Sequence, residues 1–152
     1  AVGNGANIVE LEGVPGSSAA RERGQGFHKV IDGKLKVISK QPADFDRSKG
    51  LSVMENIIQG NKNIQGVFAQ NDEMALGAIE ALKSANLTNV KVIGFDGTNE
   101  AKAAVNKGDL SATIAQKPDV MGETAIETVK KVLAGQKVQA NIPVQLELVV
   151  KK

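Results

Sequence analysis

The sequence predicts an α/β fold, a doubly wound and mainly parallel sheet with helices on both faces in the flavodoxin-like manner. Short β-rich runs alternate with stretches of helical period along the chain, and strand–helix units repeated in this way form parallel sheets through right-handed crossovers. Glycine, proline or aspartate closes most of the runs, and these are the residues that interrupt regular structure. The 152 residues, 41% hydrophobic and 24% charged, have the size and composition of one globular domain with a substantial core. No internal repeat, low-complexity stretch or linker lies between Gly3 and Lys152.

Ile8-Val9-Glu10-Leu11 reads as the first strand, ended by Gly13-Val14-Pro15-Gly16. Ser17 or Ser18 offers an N-cap hydroxyl to the helix that follows. On that helix Ala20, Gly24, Phe27 and Ile31 recur at three- and four-residue spacing, the mark of one buried face. Leu35 to Ser39 is the second strand, followed by the loop Gln41-Pro42-Ala43-Asp44-Phe45-Asp46, in which Asp46 can cap the next helix. Leu51, Met54, Ile57 and Ile58 mark that helix, and Gly60 ends it. Gly66 to Ala69 is the third strand, and helix Asp72–Ser84 follows with Ala75, Leu76, Ile79 and Leu82 inward. Val90 to Phe95 is the fourth strand, and Thr98 can cap a short helix through Ala101, Ala104 and Val105, stopped by Gly108. Ala112 to Ala115 is the fifth strand. Pro118 opens the last helix, a position where its missing N–H costs little, with Met121, Ala125, Val129 and Val132 as the apolar stripe and Gly135 as the stop. Pro143 to Val150 alternates apolar and polar residues as a final strand.

Composition excludes several functions. The formal charge is +2, Lys+Arg 19 against Asp+Glu 17, with no basic cluster to form a nucleic-acid surface. Without cysteine there are no disulfides, thiol chemistry or thiolate metal sites. No run approaches the roughly 20 apolar residues of a membrane span. No signal peptide is visible and the chain opens on Ala1 rather than Met, which reads as processing or a cut.

In open α/β sheets, ligands bind beyond the carboxyl ends of the strands. Those positions hold Gly13-Val14-Pro15-Gly16 with Arg21 and Arg23, then Phe45, then Gln70 and Asn71, then Asp96-Gly97-Thr98, then Gln116. The set suits a neutral polyhydroxylated ligand. Each sugar hydroxyl both donates and accepts, Asp accepts, Arg donates in a fork, and Asn and Gln do one of each. A Phe ring covers the apolar face of the sugar. Each group also has a plain structural reading, Asp96 as a turn cap and Asn71 as a helix-start residue beside Asp72. Phe45 is harder to explain that way, because an aromatic in a polar loop needs a partner.

Catalytic readings are weaker. The only histidine, His28, falls off the core phase of its helix and reads as a surface residue. No paired carboxylates and no Ser–His arrangement are visible. The loop after the first strand lacks both G-x-G-x-x-G and G-K-[ST], and Phe95-Asp96-Gly97 has no acidic neighbour in sequence to make a metal site. The expectation is a binding protein with no cofactor and no metal.

At these loops the chain closely resembles the ribose-binding proteins of the periplasmic binding protein superfamily. The stretches that carry the resemblance are Ser18 to Gly24, Gln41 to Arg47, Phe68 to Gly77 (FAQNDEMALG), Val92 to Thr98 (VIGFDGT) and Ala112 to Gln116 (ATIAQ). They run in order over nearly the whole chain. The resemblance implies a non-enzymatic receptor for ribose or a similar pentose. It also implies an extracytoplasmic, periplasmic location, and an ABC importer permease, with a chemoreceptor beside it, that reads ligand-induced closure. It assigns ligand contact to Arg23, Phe45, Asn71, Asp96 and Gln116 and favours Arg23 over Arg21. It further implies that residues 1–152 form the C-terminal lobe alone, since family members are about twice as long and nothing here matches their N-terminal lobe. In the family, the helix at 118–134 packs on that other lobe. The expectation here is that it either folds back on this sheet or pairs with a second copy. An alternative with the same architecture is the effector-binding core of a sugar-responsive transcriptional repressor, which would need a DNA-binding head upstream.

Overall fold

The computed structural model describes residues 2–151. Eleven elements follow in order: β1 (Asn7–Glu12), α1 (Ser18–Ile31), β2 (Lys36–Pro42), α2 (Arg47–Gly60), β3 (Gly66–Ala69), α3 (Asp72–Ser84), β4 (Lys91–Asp96), α4 (Asn99–Lys107), β5 (Ala112–Ala115), α5 (Pro118–Leu133) and β6 (Glu147–Val150). The strands form one sheet in the order β2-β1-β3-β4-β5-β6. The first five are parallel, and β6 runs antiparallel to β5 with Ala115 opposite Glu147.

Local chemistry sets the helix ends. Ser17, Asp46, Asn71 and Thr98 each stand in extended backbone, and each side chain accepts a backbone N–H one turn on, which satisfies donors the helix itself cannot. Gly108 closes α4 at φ 90°, a left-handed cap that glycine adopts without steric cost.

The two faces of the sheet differ. On one, Val9 and Leu11 of β1, Val67 and Ala69 of β3 and Val92 of β4 meet Met54 and Ile58 of α2, Met74, Ala78 and Leu82 of α3, and Val105 of α4 in a fully buried core. On the other, α1 is the covering helix. It presses Phe27 onto Phe68 with ring centroids 4.4 Å apart, while Ile93, Phe95 and Ile114 beside them stay half-buried.

The structure moves two boundaries and settles where one helix packs. β2 runs on through Gln41 and Pro42 rather than stopping at Ser39. It is the edge strand, where a proline without an N–H costs no ladder bond. β6 begins at Glu147 instead of Pro143 because β5 is four residues long and pairs no further than Ala115. Helix α5 does not fold back onto the sheet: it buries no residue, and Ile126, Val129 and Val132 are all more than half exposed. Its apolar stripe is real but finds no cover within the described residues.

Candidate functional site

The carboxyl ends of β1 to β5 gather the five sequence-predicted residues into one cluster. Arg23, on the second turn of α1, reaches across the sheet. Its guanidinium donates to the Gln70 carbonyl at 2.6 Å and to Asp96 Oδ1 at 3.1 Å. The same group sits over the Phe95 ring, with Cζ 4.0 Å from its centroid, and 5.6 Å from the Phe45 centroid. Gln116 donates from Nε2 to the same Asp96 oxygen at 2.7 Å. Arg21, one turn away in direction, points out to an exposed pair with Glu22 and takes no part.

Asp96 is held at φ 117°, a conformation that costs a non-glycine residue of the order of 1–3 kcal/mol. Its loop is pinned from beneath. The buried Asp72 accepts from Thr98 N at 2.8 Å and from the Thr113 hydroxyl at 2.7 Å, and Thr113 Oγ1 accepts from Gly97 N. Burial raises the Asp96 carboxyl above its ordinary pKa, against the pull of Arg23 and the Gln116 hydrogen bond, and the Asp72 charge adds to the rise.

Phe45 stands at φ 61° directly after Asp44 at φ 55°, two left-handed residues that lift the loop over β1. Two features hold it there. Asn71 Nδ2 donates to the Phe45 carbonyl at 3.1 Å while its Oδ1 caps α3 at Met74 N. The ring packs on the backbone of Gly13, where any Cβ would overlap it. Asn71 is therefore both the helix-start residue and a site residue.

Two strand-end candidates take other roles. Gln70 is wholly buried. Its Oε1 accepts from Gly13 N and its Nε2 donates to Glu10, at 3.0 Å each. Thr98 caps α4. His28 stays partly exposed on the flank of α1, but it has partners that its surface reading did not include. Its Nε2 lies 2.8 Å from the buried Glu10 carboxylate and its Nδ1 3.1 Å from Asp32, so the flank of α1 covers the one carboxylate buried in β1. Lys40 Nζ is 3.8 Å from the same group. Sequence reasoning missed this Glu10–Gln70–Gly13 frame and the Phe95 platform. A glutamate inside Ile8-Val9-Glu10-Leu11 was a signal for the first. The two-residue alternation of β4, which puts Phe95 on the side of Ile93, was a signal for the second.

The arrangement presents carboxylate, guanidinium and two amides around two aromatic faces, all at one end of the sheet. That is chemistry for hydrogen-bonding hydroxyls and covering a ring, and no nucleophile–base pair stands among these groups.

Known proteins share this plan. The sequence pattern of the periplasmic binding protein domain matches residues 1–137. The ribose import binding protein of Escherichia coli K12 is 56% identical over 151 residues, 99% of this chain and 51% of that protein. That of Bacillus subtilis 168 is 54% identical over 99% of this chain and 49% of that protein. Among solved structures, a periplasmic solute-binding protein of Actinobacillus succinogenes with bound D-allose superposes at TM-score 0.92 with 34% identity. It covers 97% of this chain and 53% of its own. A carbohydrate transporter solute-binding protein of Agrobacterium radiobacter in complex with D-arabinose gives 0.86 and 34%, over 97% of this chain and 51% of its own. The chain thus spans about half the length of the relatives it matches.

Proposed function

The chain belongs to the periplasmic binding protein family, and on that premise we propose that it is the C-terminal lobe of a two-lobed receptor. The receptor binds a pentose, ribose first among them, and delivers it to an ABC importer from the periplasmic side. The observation that carries the reading is the Arg23–Asp96–Gln116 network beside Phe45 and Asn71. Donors, acceptors and an aromatic face converge there at the strand ends, where open α/β sheets take ligands. Identity above one half to ribose import binding proteins supports the sugar.

The mechanism follows from what each group can do. Asp96 accepts from two hydroxyls while Arg23 holds its charge in place; Gln116 and Asn71 each exchange an internal hydrogen bond for one to the ligand. Charge-assisted bonds to sugar hydroxyls contribute about 1.5–3 kcal/mol each. A sugar held on this lobe alone leaves its other face in water, so a second lobe closing over it makes contacts that only the closed form offers. The role is binding and release, without catalysis.

Calorimetry with ribose tests the proposal. The isolated chain should bind more weakly than micromolar. The full-length protein should bind tightly and lose about 100-fold or more on Asp96→Ala, the equivalent of about 3 kcal/mol. A full-length protein indifferent to Asp96→Ala and Arg23→Ala would end the proposal.

A further inference from the structure

One buried amide stands behind both flanks of the site. Gln70 follows β3 directly and has no surface exposed to solvent. In β1, Val9 and Leu11 face α2 and α3, so strand alternation turns Glu10 between them toward α1. Gln70 Nε2 donates to Glu10 Oε1 and Gln70 Oε1 accepts from Gly13 N, at 3.0 Å each. The pair is also the surface on which α1 rests. A Cβ on Gly24 would lie 3.1 Å from Gln70 Nε2 and 3.3 Å from Glu10 Oε1, so a larger residue there would press the helix away from the sheet. Gly24 directly follows Arg23, whose guanidinium donates to the Gln70 carbonyl at 2.6 Å and to Asp96 Oδ1. Gly13, at the other end of the amide, carries the Phe45 ring.

We propose that Gln70 is a positioning residue for sugar binding: its side chain sets the seat of Arg23 and the floor under Phe45 together, without touching the ligand. The proposal rests on reading these strand ends as a sugar site. The type of side chain carries it. Glu10 alone would be satisfied by any donor, and His28 Nε2 at 2.8 Å and Lys40 Nζ at 3.8 Å already face its other oxygen. Gly13 N alone would be satisfied by any acceptor. Among side chains of this length, only an amide donates to the one and accepts from the other. The two flanks have to keep their separation. Arg23 Cζ is 5.6 Å from the Phe45 centroid, and binding groups work when held within about 0.5 Å of their productive positions. Without the amide, Gly13 N loses its acceptor and Glu10 a donor, and unpaired buried groups are costly enough to make the loop and α1 move. The Asp96 loop is anchored separately, by Asp72 and Thr113. Arg23 and Phe45 would therefore shift against a fixed carboxylate.

The test is calorimetry with D-ribose on the full-length protein, under conditions where urea melts show each variant folded. Gln70→Met keeps the length and removes both hydrogen bonds; it should weaken binding about tenfold. Gln70→Glu keeps an acceptor for Gly13 but sets a second carboxylate against Glu10, and should weaken binding at least as much. Adding Glu10→Gln to it reverses donor and acceptor and rebuilds the bridge, so the double variant should return to within about threefold of the parent. Leu82→Ala, in the core toward the far end of α3, should lower the urea midpoint and leave ribose affinity unchanged, which separates positioning from stability. Gly24→Ala disturbs the same frame from α1 while favouring helix; it should fold and bind about threefold more weakly. Parental affinity in Gln70→Met would overturn the proposal, as would parental affinity in Gly24→Ala should Gln70→Met not fold. So would a folded double variant no better than Gln70→Glu, or a loss in Leu82→Ala that matches Gln70→Met. Asp96→Ala reports separately on the sugar-receptor reading. Binding lost there and kept in the Gln70 variants ends the positioning role alone; binding indifferent to Asp96→Ala ends both.

Discussion

Gly13 is the residue on which the aromatic wall of the site depends, since the Phe45 ring occupies the space a side chain would need. Gly13→Ala in the full-length protein should therefore weaken ribose binding about tenfold, as Phe45→Ala should. The double variant should be no worse than either alone, because both remove the same contact; additive losses in calorimetry would show that Gly13 acts otherwise. His28 gives a pH signature. Its hydrogen bond to Asp32, with further support from Glu10, raises its pKa above 6.5. The folded state thus holds the proton more firmly than the unfolded chain does. The resulting stability is complete below pH 6.5 and is lost as pH rises through the higher folded value. In urea melts His28→Ala should cost about 1 kcal/mol at pH 5.5 and measurably less at pH 8.5; an equal cost at both would exclude the charged pair. Asp96, with its raised pKa, has the same sign. It favours the fold while protonated and opposes it once ionised, a local cost retained for a charge that can bind ligand.

At the scale of elements, α2 and α3 touch backbone to backbone. A Cβ on Gly50 would lie 2.8 Å from Met74 Cα, and one on Gly77 would overlap the Arg47 carbonyl oxygen. Gly77→Ala should accordingly destabilise the chain by about 1–3 kcal/mol despite the better helix propensity of alanine, read as a lowered urea midpoint. Helix α5 is the contrast. Val129→Lys and Leu133→Lys alter residues that are 51% and 81% exposed and should change the isolated chain's stability by no more than about 0.5 kcal/mol. Helix caps were the most legible feature of the sequence: Asp46, Asn71 and Thr98 cap the helices their types and positions predicted. Periodicity was blind to what lies beside a helix. It found the stripe of α1 that faces the sheet, but not the flank where His28 meets Glu10 or the one where Gly26 and Val30 stand open. It also could not see that Pro42 belongs to an edge, because edge position depends on strand order.

The whole molecule is a sheet that stands without its last helix. β5 and β6 are antiparallel neighbours with Ala115 opposite Glu147, so the 27 residues from Pro118 to Val144 depart and return at one end. Replacing them by a short turn should leave a cooperatively folded lobe within about 1 kcal/mol of the parent chain, because the excised helix buries nothing here. Loss of cooperative melting would mean that α5 supports the core indirectly. The clustering of Arg23, Phe45, Asn71, Asp96 and Gln116 was readable because one rule, ligands beyond the carboxyl ends of strands, governs all five. Gln70 obeyed the same rule and turned inward, since the buried Glu10 in the adjacent strand needed a donor.

That single corner of departure and return has a mechanical consequence. If the partner lobe swings about the two segments leaving β5 and entering β6, the lever arm grows across the sheet at about 4.8 Å per strand. Gln116, at the end of β5, sits almost on the pivot and travels least. The loop bearing Phe45 follows β2 but folds back over the end of β1, three strands away, and sweeps about 14 Å from the axis. Closure would then proceed like a door latching: amide and carboxylate engage first near the pivot, and the aromatic wall shuts last, toward the free edge.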